Sequence, residues 1–222
     1  KENTFLIIWT TTPWTLPGNT AIMVNPNVLY QEIEVMGGER WIIARDLVPK
    51  IMAMQKRSFT IKNEYKGKEM EGWKYKNPLE KNLNLEIRNG YKVVLSARYV
   101  TTEEGTGLVH TAPGHGKEDY EVGREYNLDM PSPVDINGLL TAEAGKYAGK
   151  KARVVDKEII EDLKKDGFLV HEMQYEHDYP LCWRDKEPLL MISLPQWFLK
   201  ISEIHKKLLK EVHKMSLQLQ DS

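Results

Sequence analysis

The chain has 222 residues, 41% of them hydrophobic and 28% charged, the composition of an ordinary soluble globular protein able to bury a substantial core. Its formal net charge of −1 gives no global basic signal for nucleic-acid binding. A single cysteine, Cys182, excludes an internal disulfide framework and fits a reducing, cytoplasmic setting. No apolar run reaches transmembrane length and no signal peptide is visible, so no membrane association is expected. The opening Lys1-Glu2-Asn3, without an initiator Met, reads as part of something longer.

The first half reads as short β segments. Phe5-Leu6-Ile7-Ile8 is the apolar centre of a strand over Thr4–Thr10. It runs into Trp9-Thr10-Thr11-Thr12-Pro13-Trp14-Thr15-Leu16-Pro17-Gly18-Asn19, where two prolines and a glycine demand a stiff, tight turn. Further strands are expected at Thr20–Val24, Leu29–Met36, Arg40–Ala44, Tyr91–Ser96 and Gly107–Thr111. The second of these alternates Tyr30, Glu32 and Glu34 against Gln31, Ile33 and Val35, as a half-buried strand requires. Asp46–Gln55 changes to helical spacing, with Leu47, Val48, Ile51 and Met54 on one side. The lysine-rich stretch Lys62–Arg88 reads as loops and edge strands.

In the second half, Leu108–Thr111 leads through a turn at Ala112–Gly116 into a helix over Lys117–Tyr126, with Glu118 and Asp119 in its first turn. Asp156 is a good N-cap for a helix carrying Ile159, Ile160 and Leu163 and ending at Gly167. A strand is expected at Phe168–Tyr175. From Ser202 a last helix places Ile204, Leu208, Leu209 and Val212 on one face, with a polar, frayed tail after Met215. No repeat and no Pro/Gly/Ser-rich linker divides the chain. Periodicity alone supports a β-rich protein with several helices, one domain over 1–200 followed by a C-terminal helix and tail over 201–222.

Familiar catalytic signatures are missing. A phosphate-binding loop fails because Gly116-Lys117 is followed by Glu118 and Thr111 occupies the first glycine position; Gly105-Thr106-Gly107 lacks the third glycine of a dinucleotide fingerprint. There is no nucleophile elbow, and neither His110 with His115 nor Cys182 has metal-site spacing. No metal, ATP or other cofactor is therefore expected. What remains is a strand end, a glycine turn and a helix start that could bring His110 and Asp119 to one pocket rim, opposite the Thr10–Thr12 strand end. Each residue also has a plainer reading: threonine is a good strand former, Asp119 favours a helix N-terminus, and His110 could be a satisfied core histidine.

Three segments resemble the editing (connective polypeptide 1) domain of isoleucyl-tRNA synthetases: Trp9–Asn19, Gly105–Tyr120 (GTGLVHTAPGHGKEDY), and Asp178–Leu190 (DYPLCWRDKEPLL) followed by Gln196-Trp197-Phe198. The valyl and leucyl editing domains carry an Arg-Pro-Glu-Thr type of motif at the first place, so they are the disfavoured relatives. The resemblance implies a β-rich mixed α/β fold with a closed or nearly closed β-barrel core and helical insertions. It also implies hydrolysis of mischarged Val-tRNA(Ile), with isoleucine excluded by size. Asp119 would anchor the substrate α-ammonium group. Thr10, Thr11, Thr12 and His110 would line the catalytic pocket, and Trp14 and Asn19 would belong to the substrate-binding motif. His110 could be a general base or an orienting, size-gating residue. The implied partners are the 3′ end of an aminoacylated tRNA and the rest of a synthetase in cis, the fragment itself being a monomer.

A non-catalytic RNA-binding or interdomain module with the same fold is the alternative. A freestanding editing protein fits less well, because the third segment resembles the chain's return to a synthetase core. That segment reads Pro-Leu-Cys-Trp-Arg-Asp where the family places a His before the Cys. Gly114-His115-Gly116 varies a turn that usually holds Ala or an aromatic residue; its histidine is expected to face solvent or the RNA end. Lys146, Lys150, Lys151 and Arg153 are candidate phosphate contacts, and equally a solvated face. His213-Lys214-Met215-Ser216 matches only part of the synthetase KMSKS signature and is read as coincidence.

Overall fold

The computed structural model of the chain describes residues 3–176 and 178–220, with side chains through Lys214. Among the described residues seven strands form: β1 (Thr4–Leu6), β2 (Ala21–Val24), β3 (Leu29–Val35), β4 (Arg40–Ala44), β5 (Phe59–Lys66), β6 (Lys92–Leu95) and β7 (Leu108–Thr111). Four α-helices accompany them: α1 (Val48–Gln55), α2 (Lys117–Glu125), α3 (Asp156–Lys165) and α4 (Ile201–Gln220). The helix over 201–220 continues past Met215, where the sequence suggests a frayed tail; residues 221 and 222 lie outside the described residues.

The strands pair in two sheets, ordered β1-β4-β3-β5 and β6-β2-β7. One parallel bridge, Trp9 to Val109, joins the chain beyond β1 to β7. Among the described residues no pairing links β5 to β6, so the sheets are open and the expected barrel does not close. The reason lies in β5: Thr60, Lys62, Asn63 and Glu64 are exposed, and a charged strand of this kind makes an edge rather than a seam. The expected strand at Phe168–Tyr175 is also absent. After Gly167 (φ +78°) ends α3, this segment follows β1 through ring contacts, Phe168 on Phe5 and Tyr175 on Trp9, and not through a hydrogen-bond ladder.

β2 is the buried hinge between cores. Ile22 and Val24 pack with the first sheet and α1, while Ala21 and Met23 pack with Val94, Val100, Val122 and Leu128. A strand covered on both faces needs a continuous apolar run, which Ala21-Ile22-Met23-Val24 supplies. A third cluster unites Trp14 with Leu140, Tyr147, Val155 and Ile159 of the second half.

β3 is not half-buried as its alternation suggests. Both its faces are covered, and Glu32 is wholly buried. Its carboxylate accepts hydrogen bonds from Arg40 Nη1 (2.9 Å), Asn63 Nδ2 (2.9 Å) and the Tyr65 hydroxyl (2.6 Å). Such a group survives burial only while its donors remain. Glu32→Ala removes the acceptor and strands those donors. Urea denaturation is expected to show a loss of about 3 kcal/mol, with the dependence on denaturant unchanged.

Candidate editing site

The threonine-rich segment leaves β1 after Leu6 and reaches β7 through the Trp9–Val109 bridge. Beyond it, Pro13–Gly18 forms a 3-10 helix with Pro13 in its first turn and Pro17 inside. Prolines fix φ near the helical value and remove N–H donors, so a short tight helix satisfies the segment. The loop is laced internally. Thr12 N–H donates to Thr10 Oγ1 (3.1 Å), and the Thr15 hydroxyl donates to the Thr12 carbonyl (2.8 Å). It is also tied to the far end of the chain: the Trp14 N–H donates to Asp156 Oδ1 at 2.7 Å. Asp156 thus opens α3 but turns its carboxylate to the loop instead of capping its own helix.

On the opposite side, β7 pairs antiparallel with β2, and His110 stands opposite Ile22. His110 is buried. Its Nδ1 lies 2.8 Å from Asn19 Nδ2 and its Nε2 lies 3.1 Å from the Thr15 hydroxyl. Desolvation, helped by nearby His115, pushes its pKa down to about 3, so the imidazole is neutral at physiological pH. After Ala112 the turn feeds α2, whose first turn carries Asp119 as the sequence suggests. Asp119 Oδ2 accepts the Ala112 N–H at 3.0 Å. A Cβ at position 116 would sit 2.7 Å from that same oxygen, so Gly116 makes room for the carboxylate. Burial pushes the Asp119 pKa up to about 6, against the lowering effect of the Ala112 N–H.

Thr10, Thr11, Thr12, His110 and Asp119 come together around one cavity of about 330 Å³, joined by Thr15 and His115. Four residues of its wall, Trp9, Thr10, Thr11 and His110, also face a larger groove of about 2030 Å³ that runs past Trp73, Tyr75 and Lys76. Trp14 and Asn19 do not line the small cavity. Trp14 is buried in the third cluster with its ring edge-on to His115, 5.1 Å between centroids. Asn19 is buried beside His110 and lines only the larger groove.

His115 does not face bulk solvent but lies buried in the wall of the small cavity. It is buried, its Nδ1–H donates to the Met191 carbonyl (3.2 Å), and burial pushes its pKa down to about 4. Sequence reading gave Thr15 and Tyr75 no part in the site and Asp156 only a helix cap; Thr15 sits within the motif, while the other two are fixed by contacts 56 and 142 residues away. The candidate phosphate cluster is largely engaged. Lys146 pairs with Asp162 (2.6 Å), Lys150 with Glu158, and the Arg153 guanidinium lies 4.5 Å over the Tyr179 ring. That is the pattern of a solvated face.

Holding an ionised carboxylate at 119 costs stability. The folded pKa of about 6 lies above the ordinary 3.8, so the folded chain binds the proton more tightly than the unfolded one. Stability therefore falls as pH rises between these values, and the penalty is complete above about 6. Asp119→Asn removes it. The variant is expected to exceed its parent by up to about 3 kcal/mol at pH 8 and to match it near pH 3.5, measured by thermal denaturation at both pH values.

No protein-family model matches the chain. Over 219 residues it is 46% identical to an isoleucine–tRNA ligase of Petrotoga mobilis, a match covering 97% of this chain and 23% of the relative. The ligase of Pyrococcus furiosus is 45% identical over 220 residues, covering 95% and 20%. That of Methanocaldococcus jannaschii is 47% identical over 217 residues, covering 92% and 21%. The chain thus spans between a fifth and a quarter of the length of these relatives. Among solved structures, GlLeuRS-CP1 shares the fold with a TM-score of 0.57 at 16% identity, covering 79% of this chain and 87% of that one. The editing domain of the Plasmodium knowlesi cytosolic leucyl-tRNA synthetase does so with a TM-score of 0.57 at 14% identity, covering 73% and 82%. Sequence shows the family and structure the fold: the chain belongs to the isoleucine–tRNA ligase family and folds like the editing domains of leucyl-tRNA synthetases.

Proposed function

We propose that the chain hydrolyses the aminoacyl ester of mischarged Val-tRNA(Ile) and spares Ile-tRNA(Ile) by size. The observation that carries this reading is the convergence of the Asp119 carboxylate and the Thr10–Thr12 loop on one cavity of about 330 Å³. Among the described residues no lysine or arginine pairs with Asp119, which leaves its charge for a ligand. An α-ammonium group is the natural partner for a partly desolvated carboxylate. Threonine hydroxyls and loop N–H groups hold the ribose and the ester carbonyl and orient a water. That water attacks the carbonyl carbon, the bond to the terminal ribose oxygen breaks, and the proton passes to the departing oxygen. An ester is activated enough for positioning and oxyanion stabilisation to carry the step without an enzyme nucleophile. Both ring nitrogens of His110 are already engaged by Asn19 and Thr15, and its basicity is depressed, so it serves as wall and size gate, not general base.

The need for such a pocket is chemical. A methylene distinguishes substrates by only about 10–200-fold, the selection of isoleucine over valine by this same enzyme class being the standard example. A second pocket that admits the smaller side chain removes the error. The domain, residues 1–200 with the C-terminal helix and tail of 201–222, would act as a cytoplasmic monomeric unit in cis with the rest of a synthetase, on the 3′ end of its tRNA.

Deacylation assays on the two esters test the reading. The valyl ester is expected to be cleaved and the isoleucyl ester spared, with at least a hundredfold loss in Asp119→Ala. Cleavage of neither ester, by the chain or by a full-length synthetase containing it, refutes it. Because the free carboxylate titrates near 6, kcat/KM should fall as pH drops through about that value. His110→Ala should open the pocket and make Ile-tRNA(Ile) a substrate; continued resistance would remove His110 from the size gate.

A further inference from the structure

The Asn19 side chain can face only one way. Its Nδ2 donates to the Ala21 carbonyl (2.9 Å) and reaches the Thr111 carbonyl (3.4 Å), while its Oδ1 accepts the Tyr75 hydroxyl (2.5 Å). Turning the amide over would set its oxygen against two carbonyls. The amide nitrogen therefore also meets His110 Nδ1, at 2.8 Å, and that ring nitrogen must be the acceptor. The proton of the neutral ring is then on Nε2, from which it donates to the Thr15 hydroxyl, and Thr15 passes its own proton to the Thr12 carbonyl. The direction of every bond in this chain follows from the first.

We propose that Tyr75 is a positioning residue for the editing pocket: through Asn19 it locks His110 in the Nε2–H tautomer and so fixes the Thr12–Thr15 wall. Tyr75 lies in the Trp73–Asn77 stretch beside β6, not in any of the three motif segments, and it faces the larger groove. Its ring meets Tyr91 edge-on, 5.8 Å between centroids, which holds the hydroxyl toward Asn19. Without that hydroxyl the Asn19 oxygen loses its donor and the amide is held through its nitrogen alone, so its hold on Nδ1 of His110 loosens and that ring nitrogen can take the proton. The wall would then move in the place where one methylene must be excluded.

The tautomer does not depend on the proposed substrate and is read without it, whereas the effect on selectivity rests on that reading. In the chain with 15N-labelled histidine, the His110 signals are assigned by their loss in His110→Gln. At neutral pH the parent should show an unprotonated Nδ1 and a protonated Nε2, together with a Tyr75 hydroxyl proton protected from exchange. In Tyr75→Phe the His110 signals should move toward the other tautomer, and discrimination between valyl and isoleucyl esters should fall about tenfold or more. In Asn19→Asp the carboxylate can only accept, so the proton should move to Nδ1. A parent with Nδ1 protonated, a freely exchanging Tyr75 hydroxyl, or a Tyr75→Phe spectrum identical to the parent overturns the proposal. If the tautomer behaves as described while neither ester is cleaved, the proposed function fails and the clamp stands. Should Tyr75→Phe not fold, the parent spectrum and Asn19→Asp decide.

Discussion

The register between β2 and β7 is the constraint on which the site depends. Side chains alternate along a strand, so a slip of one residue would send His110 to the opposite face. Burial of β2 on both faces prevents it: Ile22 and Val24 belong to one core, Ala21 and Met23 to another, and a shift would exchange them. With Ile22 opposite His110, the imidazole is delivered to the threonine loop and Thr111 hands the chain on to the turn before Asp119. The geometry of the candidate site is a by-product of core packing.

The threonine loop has no sheet of its own to hold it. Its stiffness comes from prolines, and its location from a few long-range ties, the Trp9–Val109 bridge, the Thr15 hydroxyl with His110 and the Trp14 N–H with the Asp156 carboxylate. That carboxylate is also pushed up to about 6 by burial. Two acids of raised pKa, Asp119 and Asp156, thus flank the loop, one available to a ligand and one holding the backbone. Each costs folding stability at neutral pH, a common exchange of stability for geometry at functional sites.

Local pattern carried most of the strands. Ala21–Val24 and Arg40–Ala44 were legible because continuous apolar runs admit few other conformations, and the helix over 48–55 because its spacing is helical. β5 was less legible, since Thr60 to Lys66 holds mostly polar residues and owes its conformation to pairing with β3. Phe168–Tyr175 has the composition of a strand and finds no free ladder beside it. The site was legible where the motif is contiguous, at Thr10–Thr12 and His110–Asp119. Tyr75 and Asp156 were not, because a hydrogen bond across 56 or 142 residues leaves no local trace. Asn19 and Trp14, expected in the substrate-binding motif, do not line the small cavity and stand one layer behind its surface.

The pocket's glycine turn is fastened on its outer side to a segment distant in sequence. His115 Nδ1–H donates to the Met191 carbonyl, and the Ser193 N–H donates to the Gly114 carbonyl at 2.8 Å. His115 Nε2 is buried without a partner, so the Met191 bond is the one polar contact that the ring has among the described residues. Trimming the chain from its C-terminus is therefore not neutral. A chain shortened to Leu190 would leave both nitrogens of a buried imidazole unsatisfied, next to the residues that shape the cavity. The shortest piece that keeps the pocket's outer rim intact must run through Ser193.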